Sequence, residues 1–83
     1  MGGVEDSISF ILRRKGYTLT MENVVSAMSG TRPDRITKYY VEIGGEHYPP
    51  KQVLSEALGI QRISFTTKDA YDILTRLGFD VNG

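Results

Sequence analysis

Apolar residues recur along this chain at two spacings, and the spacing changes near the middle. Over 4–15, "VEDSISFILRRK", Val4, Ile8, Ile11 and Leu12 fall at helical intervals. Glu5 and Asp6 suit the positive end of a helix, the run Arg13, Arg14, Lys15 suits the other end, and Gly16 fits the position just past it. The pattern predicts a first helix; its basic run is able to touch phosphate, and dipole compensation on a solvated face is the favoured reading. Over 20–29, "TMENVVSAMS", Thr20 can cap a second helix whose apolar stripe is Met21, Val24, Val25 and Met28, ended by Gly30. The link between them is short, so the two are expected to form a helical hairpin. "GTRPDR" then reads as a loop.

From Ile36 the period drops to two. Ile36, Tyr39, Val41 and Ile43 are strand formers, and Gly44-Gly45 is a two-residue hairpin signal, so strands are expected at about 36–43 and 46–48. Tyr39, Val41 and Ile43 would face inward, and Lys38, Tyr40 and Glu42 outward. Helical spacing returns with Val53, Leu54, Ala57 and Leu58. Pro49 is extended because it precedes Pro50, Pro50 opens the helix at about residue 50, and Gly59 closes it. The last helix starts at a capping box of Thr66 and Asp69 and buries Ala70, Ile73, Leu74 and Leu77. Gly78 ends it, with Phe79 folding back onto Leu74. Ile63 and Phe65, or "FDV" at 79–81, can add a short third strand. The expected fold is a small single α+β domain over 1–83, with four helices packed with a short antiparallel β-hairpin in the order ααββαα.

Composition narrows the function classes. The chain is 40% hydrophobic and 24% charged, within the range of globular domains. It has no cysteine and one histidine, so a thiolate site, a disulfide and a multi-His zinc centre are excluded. Lys and Arg number 10 and Asp and Glu number 10, a balance that predicts no strong nonspecific pull toward polyanions. The N-terminus lacks the layout of a signal peptide and no apolar run approaches a membrane span, so a cytoplasmic protein without a membrane partner is expected.

Candidate chemistry is sparse. No phosphate loop, nucleophile elbow, zinc-protease or dinucleotide signature occurs, and His47 is the one neutral-pH proton shuttle. Asp69 and Asp72 share a helix face but have no third ligand and read as an exposed acidic face. No catalytic residue, cofactor or metal is expected. Binding chemistry is better represented. Lys51 sits in the first turn of the third helix, where a cation opposes the dipole and costs a few tenths of a kcal/mol. Such local conflicts concentrate at functional positions. If the preceding loop folds over that helix start, Arg32, Arg35, His47, Tyr48 and Lys51 converge, with Lys38 beside them, on a patch able to hold phosphate. The plain alternatives are a solvated loop and a Lys51 paired with Glu42 or Glu46.

"YYVEIGGEHYPPKQVLSEALGI" followed by "FTTKDAYDILTRLGFDV" resembles the N-terminal head domain of some McrA-type HNH restriction endonucleases. The shared pattern is a strand, a turn, a "YPPK-x-V-L" helix start (Tyr48 to Lys51, Val53, Leu54) and a closing "L-x-x-LGF" helix (Leu74, Leu77, Gly78, Phe79), over roughly 39–81. The resemblance implies a noncatalytic DNA-associated accessory module of a bacterial nuclease or defence system. Any nuclease would lie elsewhere, so a stand-alone member or an excised domain is expected. Lys51 and Tyr48 are the contacts the resemblance carries over. A competing expectation is a protein-interaction or oligomerisation module that pairs through the edge of the Tyr39–Ile43 strand with another chain. An enzyme built on His47 ranks behind both.

Overall fold

A computed structural model describes residues 7–36 and 38–83. Expectations that fall on Val4, Glu5, Asp6 and Thr37 lie outside the described residues.

The first departure from expectation comes at once. The segment predicted as the first helix is a β-hairpin of β1 (Ser7–Leu12) and β2 (Lys15–Thr20), antiparallel, with Ile8 opposite Leu19, Phe10 opposite Tyr17 and Leu12 opposite Lys15. The helical stripe left out Phe10. Alternation instead gathers Ile8, Phe10 and Leu12 with Tyr17 and Leu19 on one face, and stacks the Phe10 and Tyr17 rings 5.8 Å apart. Ser7, Ser9 and Thr18 are weak helix formers that suit the outer strand face, where the Ser9 and Thr18 hydroxyls lie 3.2 Å apart. Ile11, expected in the core, is on that outer face and 74% exposed. With no first helix there is no helical hairpin, and Arg13 and Arg14 compensate no dipole.

The two-residue loop of this hairpin is Arg13-Arg14, and both residues have positive φ, 51° and 68°. A second hairpin downstream makes the same turn with Gly44-Gly45, at 60° and 84°. The left-handed region costs a non-glycine residue about 1–2 kcal/mol. Arg13 offsets part of this. Its Nε donates to the Ser64 carbonyl at 2.8 Å and its guanidinium Nη2 to the Ile63 carbonyl at 3.1 Å. Arg13→Ala is therefore expected to destabilise the domain by about 1 kcal/mol, because these are charge-assisted bonds at an exposed site. Thermal unfolding should show Tm lower by about 4–8 °C. An unchanged Tm would mean that the clamp contributes nothing.

Thr20 ends β2 and caps α1 (Met21–Met28) without any link. Its hydroxyl accepts the Asn23 N–H at 2.9 Å, and the Asn23 side chain accepts the Thr20 N–H at 3.2 Å. Val24 and Met28 are buried, whereas Val25, expected in the stripe, is exposed. β3 (Tyr40–Ile43) and β4 (Glu46–Tyr48) follow, with Val41 and Ile43 inward and Glu42 outward as their alternation requires. Ile36 and Tyr39 precede the strand instead of belonging to it.

α2 (Pro50–Leu58) has Pro49 extended at its cap, Pro50 at its first position and Gly59 left-handed at its end, with the Gly59 N–H donating to the Ser55 carbonyl at 2.8 Å. Ile63 and Phe65 do not form a strand. Arg62–Ser64 is a 3-10 turn that exposes Ile63 and buries Phe65. α3 (Thr67–Leu77) begins at the Thr66–Asp69 capping box and ends at Gly78, with the Phe79 N–H donating to the Leu74 carbonyl at 3.0 Å. β5 (Val81–Asn82) then pairs with β3.

The described residues thus form three α-helices and five strands, not four helices and one hairpin, in the order ββαββα, 3-10 turn, αβ. The strands form two small antiparallel sheets, β1-β2 and β4-β3-β5, that share one core with the helices. The core runs through Leu19, Val24, Met28, Val41, Val53, Leu54, Ala70 and Leu74. β3 is the central strand of its sheet, with β4 and β5 on its two sides. The edge on which a partner strand was expected is occupied at Tyr40 and Val41.

Candidate functional site

The loop after α1 is held down by two side chains of the "YPPKQ" stretch. Tyr48 is buried, and its hydroxyl donates to the Thr31 carbonyl at 2.9 Å, with the Met28 carbonyl at 3.5 Å. Gln52, one helical turn onward, is only 3% exposed. Its amide nitrogen donates to the Arg32 carbonyl and its amide oxygen accepts the Asp34 N–H, both at 2.8 Å. A buried amide is costly unless both of its ends are bonded, and here both are. Beyond Pro33, Asp34 forms an ion pair with Arg62, which fastens the loop to the 3-10 turn.

This anchoring builds a groove of about 490 Å³. Arg35 and Lys38 reach it from the loop, Lys51 from the start of α2 and Arg62 from the 3-10 turn. Tyr39, Pro49 and Pro50 supply apolar wall, and Thr67, the first residue of α3, completes it. No carboxylate lines the groove; the nearest along the chain, Asp34, is engaged with Arg62. Two of the four cations rest on aromatic rings. Lys51 Nζ lies 5.8 Å from the Phe65 ring centre and Lys38 Nζ 5.1 Å from that of Tyr39. The start of α2 has no side-chain cap, and Pro50 has no N–H. The N–H groups of Lys51 and Gln52 therefore end this helix without an intrahelical partner. Lys51 makes no ion pair with any described residue. The alternative of a Lys51–Glu42 or Lys51–Glu46 pair is not realised.

The candidate residues divide into three groups. Arg35, Lys38 and Lys51 meet in the groove. Tyr48 touches no solvent groove wall there; it positions the loop. Arg32 offers its carbonyl to Gln52 while its side chain is exposed. His47 lies on the opposite face of β4 from Tyr48, stacked on Tyr40 with ring centres 4.6 Å apart and Nε2 3.7 Å from a Glu42 oxygen. Sequence reading missed Gln52 and Arg62. Nothing local marks either one, because their partners are 18 to 20 and 28 residues away respectively.

Charge differs between grooves although the net charge is zero. A second shallow groove, between the β3–β4 turn and the end of α3, is lined by Glu42 and Asp80 and by no cation. Among the described residues no group of three His, Asp or Glu is placed to hold a metal, and no helix is long and apolar enough to cross a membrane.

The sequence model of a family described as SCO5918-like matches residues 8–83. No curated protein and no solved structure matches the chain.

Proposed function

We propose that this chain, which belongs to the SCO5918-like family, is a noncatalytic binding module that seats the phosphate backbone of DNA in its basic groove. The observation that carries the reading is the convergence of Arg35, Lys38 and Lys51 on one groove without a lining carboxylate, with Arg62, already paired with Asp34, beside them. Holding like charges together opposes folding, and a polyanion relieves that repulsion. The open start of α2 adds N–H donors and a favourable dipole to the same place. Phosphate contacts position a protein but carry no sequence information. Binding through this groove is expected to be indifferent to base sequence. The "YPPK" resemblance supports an accessory role within a nuclease or defence system. The competing reading, strand addition to another chain at β3, is left only the Glu42–Ile43 part of that edge, because β5 pairs with Tyr40 and Val41.

Titration of a fluorescently labelled 20-bp duplex over a range of salt concentrations tests the proposal. Three neutralised phosphates predict a slope of log K against log salt of about −3. No binding at tens of micromolar protein and low salt would overturn it.

A further inference from the structure

We propose that the Arg13-Arg14 turn carries a second phosphate contact, made by Arg14, so that the domain grips a DNA backbone at two points. The inference rests on the groove reading above and extends it to a part of the surface that the groove does not include.

The chain builds the same left-handed two-residue turn twice. At Gly44-Gly45 it uses the residues that adopt this backbone without strain. At Arg13-Arg14 it uses residues that adopt it only at a steric cost. Strain of this kind persists where the side chains are needed. Arg13 has a visible reason, the clamp onto the Ile63 and Ser64 carbonyls. Arg14 has none inside the fold. It is exposed and makes no hydrogen bond, ion pair or ring contact with a described residue, while its neighbour Lys15 lies 5.7 Å over the Tyr17 ring. A glycine or asparagine at position 14 would make a better turn, so the retained feature is the charge.

The clamp also fixes where that charge is presented. Arg13 ties the turn to residues 63 and 64, directly after Arg62 in the groove wall. The turn that carries Arg14 is thereby fastened to the 3-10 turn whose first residue, Arg62, lines the groove. The domain is 38 Å in its longest dimension, about 11 base pairs of duplex at 3.4 Å per step. A 20-bp duplex can reach both points at once.

Three substitutions separate charge from backbone shape. Arg14→Gln removes the charge and keeps the strained backbone, Arg14→Gly removes both, and Arg14→Lys keeps the charge. Each is titrated with the 20-bp duplex at 50 mM salt and across a salt series, and each is melted. The expected result is that Gln and Gly weaken binding alike, by about five- to tenfold. Their salt slopes should be shallower by about 0.9, the loss of one phosphate contact. Lys should stay within about twofold of the parent. The Gly variant should melt about 2–5 °C higher than the parent while binding less well. If the parent binds and the Gln variant binds equally with the same slope, the second contact does not exist and the groove reading stands. If Gly and Gln differ in binding, turn shape and not charge is what matters, and the proposal is wrong. If the parent itself does not bind, the groove reading fails and takes this one with it.

Discussion

Lys51→Glu is expected to abolish duplex binding without destabilising the domain. The substitution removes one phosphate contact and puts a carboxylate in the groove with Arg35, Lys38 and Arg62. One lost contact is worth about tenfold at 50 mM salt, and repulsion of the new charge brings the loss to about 100-fold or more. Folding responds differently. A glutamate in the first turn of α2 gains about 0.3–1 kcal/mol from the dipole, and the loss of Lys51 from the Phe65 ring gives back about 0.5 kcal/mol. A thermal melt and a titration on the same sample check both halves. Binding that survives the reversal would remove Lys51 from the site. Loss of binding accompanied by a large fall in Tm would show that the effect is on folding.

Gln52→Leu should have the largest effect on stability of any polar substitution in the loop anchor. Leucine fills a similar volume but leaves the Arg32 carbonyl and the Asp34 N–H without their partner. The cost of two such groups at a partly buried site is about 2–3 kcal/mol. That is a large fraction of the total for a domain this small, where about 4–12 kcal/mol is expected. Tm should fall by about 10–20 °C. The loop would come away from α2, and Arg35 and Lys38 would leave the groove with it, so duplex affinity should drop even where the domain is still folded. Hydrogen exchange separates local from global effects. The amides of Arg32, Asp34 and Arg35 should exchange much faster, while those in the middle of α3 change only in step with overall stability. Unchanged exchange in the loop would refute the anchoring role of Gln52.

Lys51 and Arg14 share a property. In both, a cation stands where the backbone favours something else, a carboxylate at a helix start in one case and glycine in a left-handed turn in the other. Both are expected to trade stability for binding in the same direction. Gln52 and Arg13 are of the other kind, since their polar groups hold segments together and their loss costs stability first.

What was legible in the sequence was whatever local chemistry decides. α2 ran from Pro50 to its stop at Gly59, α3 from the Thr66 cap to Gly78, and the β3–β4 turn sat on Gly44-Gly45, because each boundary depends on residues within a few positions of one another. The β1–β2 hairpin was not legible for the same reason. Its turn has arginines where the usual signal is glycine or asparagine, and Ile8, Ile11 and Leu12 satisfy a helical spacing as readily as Ile8, Phe10 and Leu12 satisfy an alternating one. The choice was made by burial, since only the strand reading covers Phe10, Tyr17 and Leu19 against the helices. The opposition between Lys51 and the dipole was likewise visible from position alone. Whether an internal carboxylate answered it was not, because pairing depends on distance in space. The groove belongs wholly to the tertiary structure. Its four cations come from a loop, a helix start and a 3-10 turn, and long-range hydrogen bonds from Tyr48 and Gln52 and the Asp34–Arg62 pair are what bring them together.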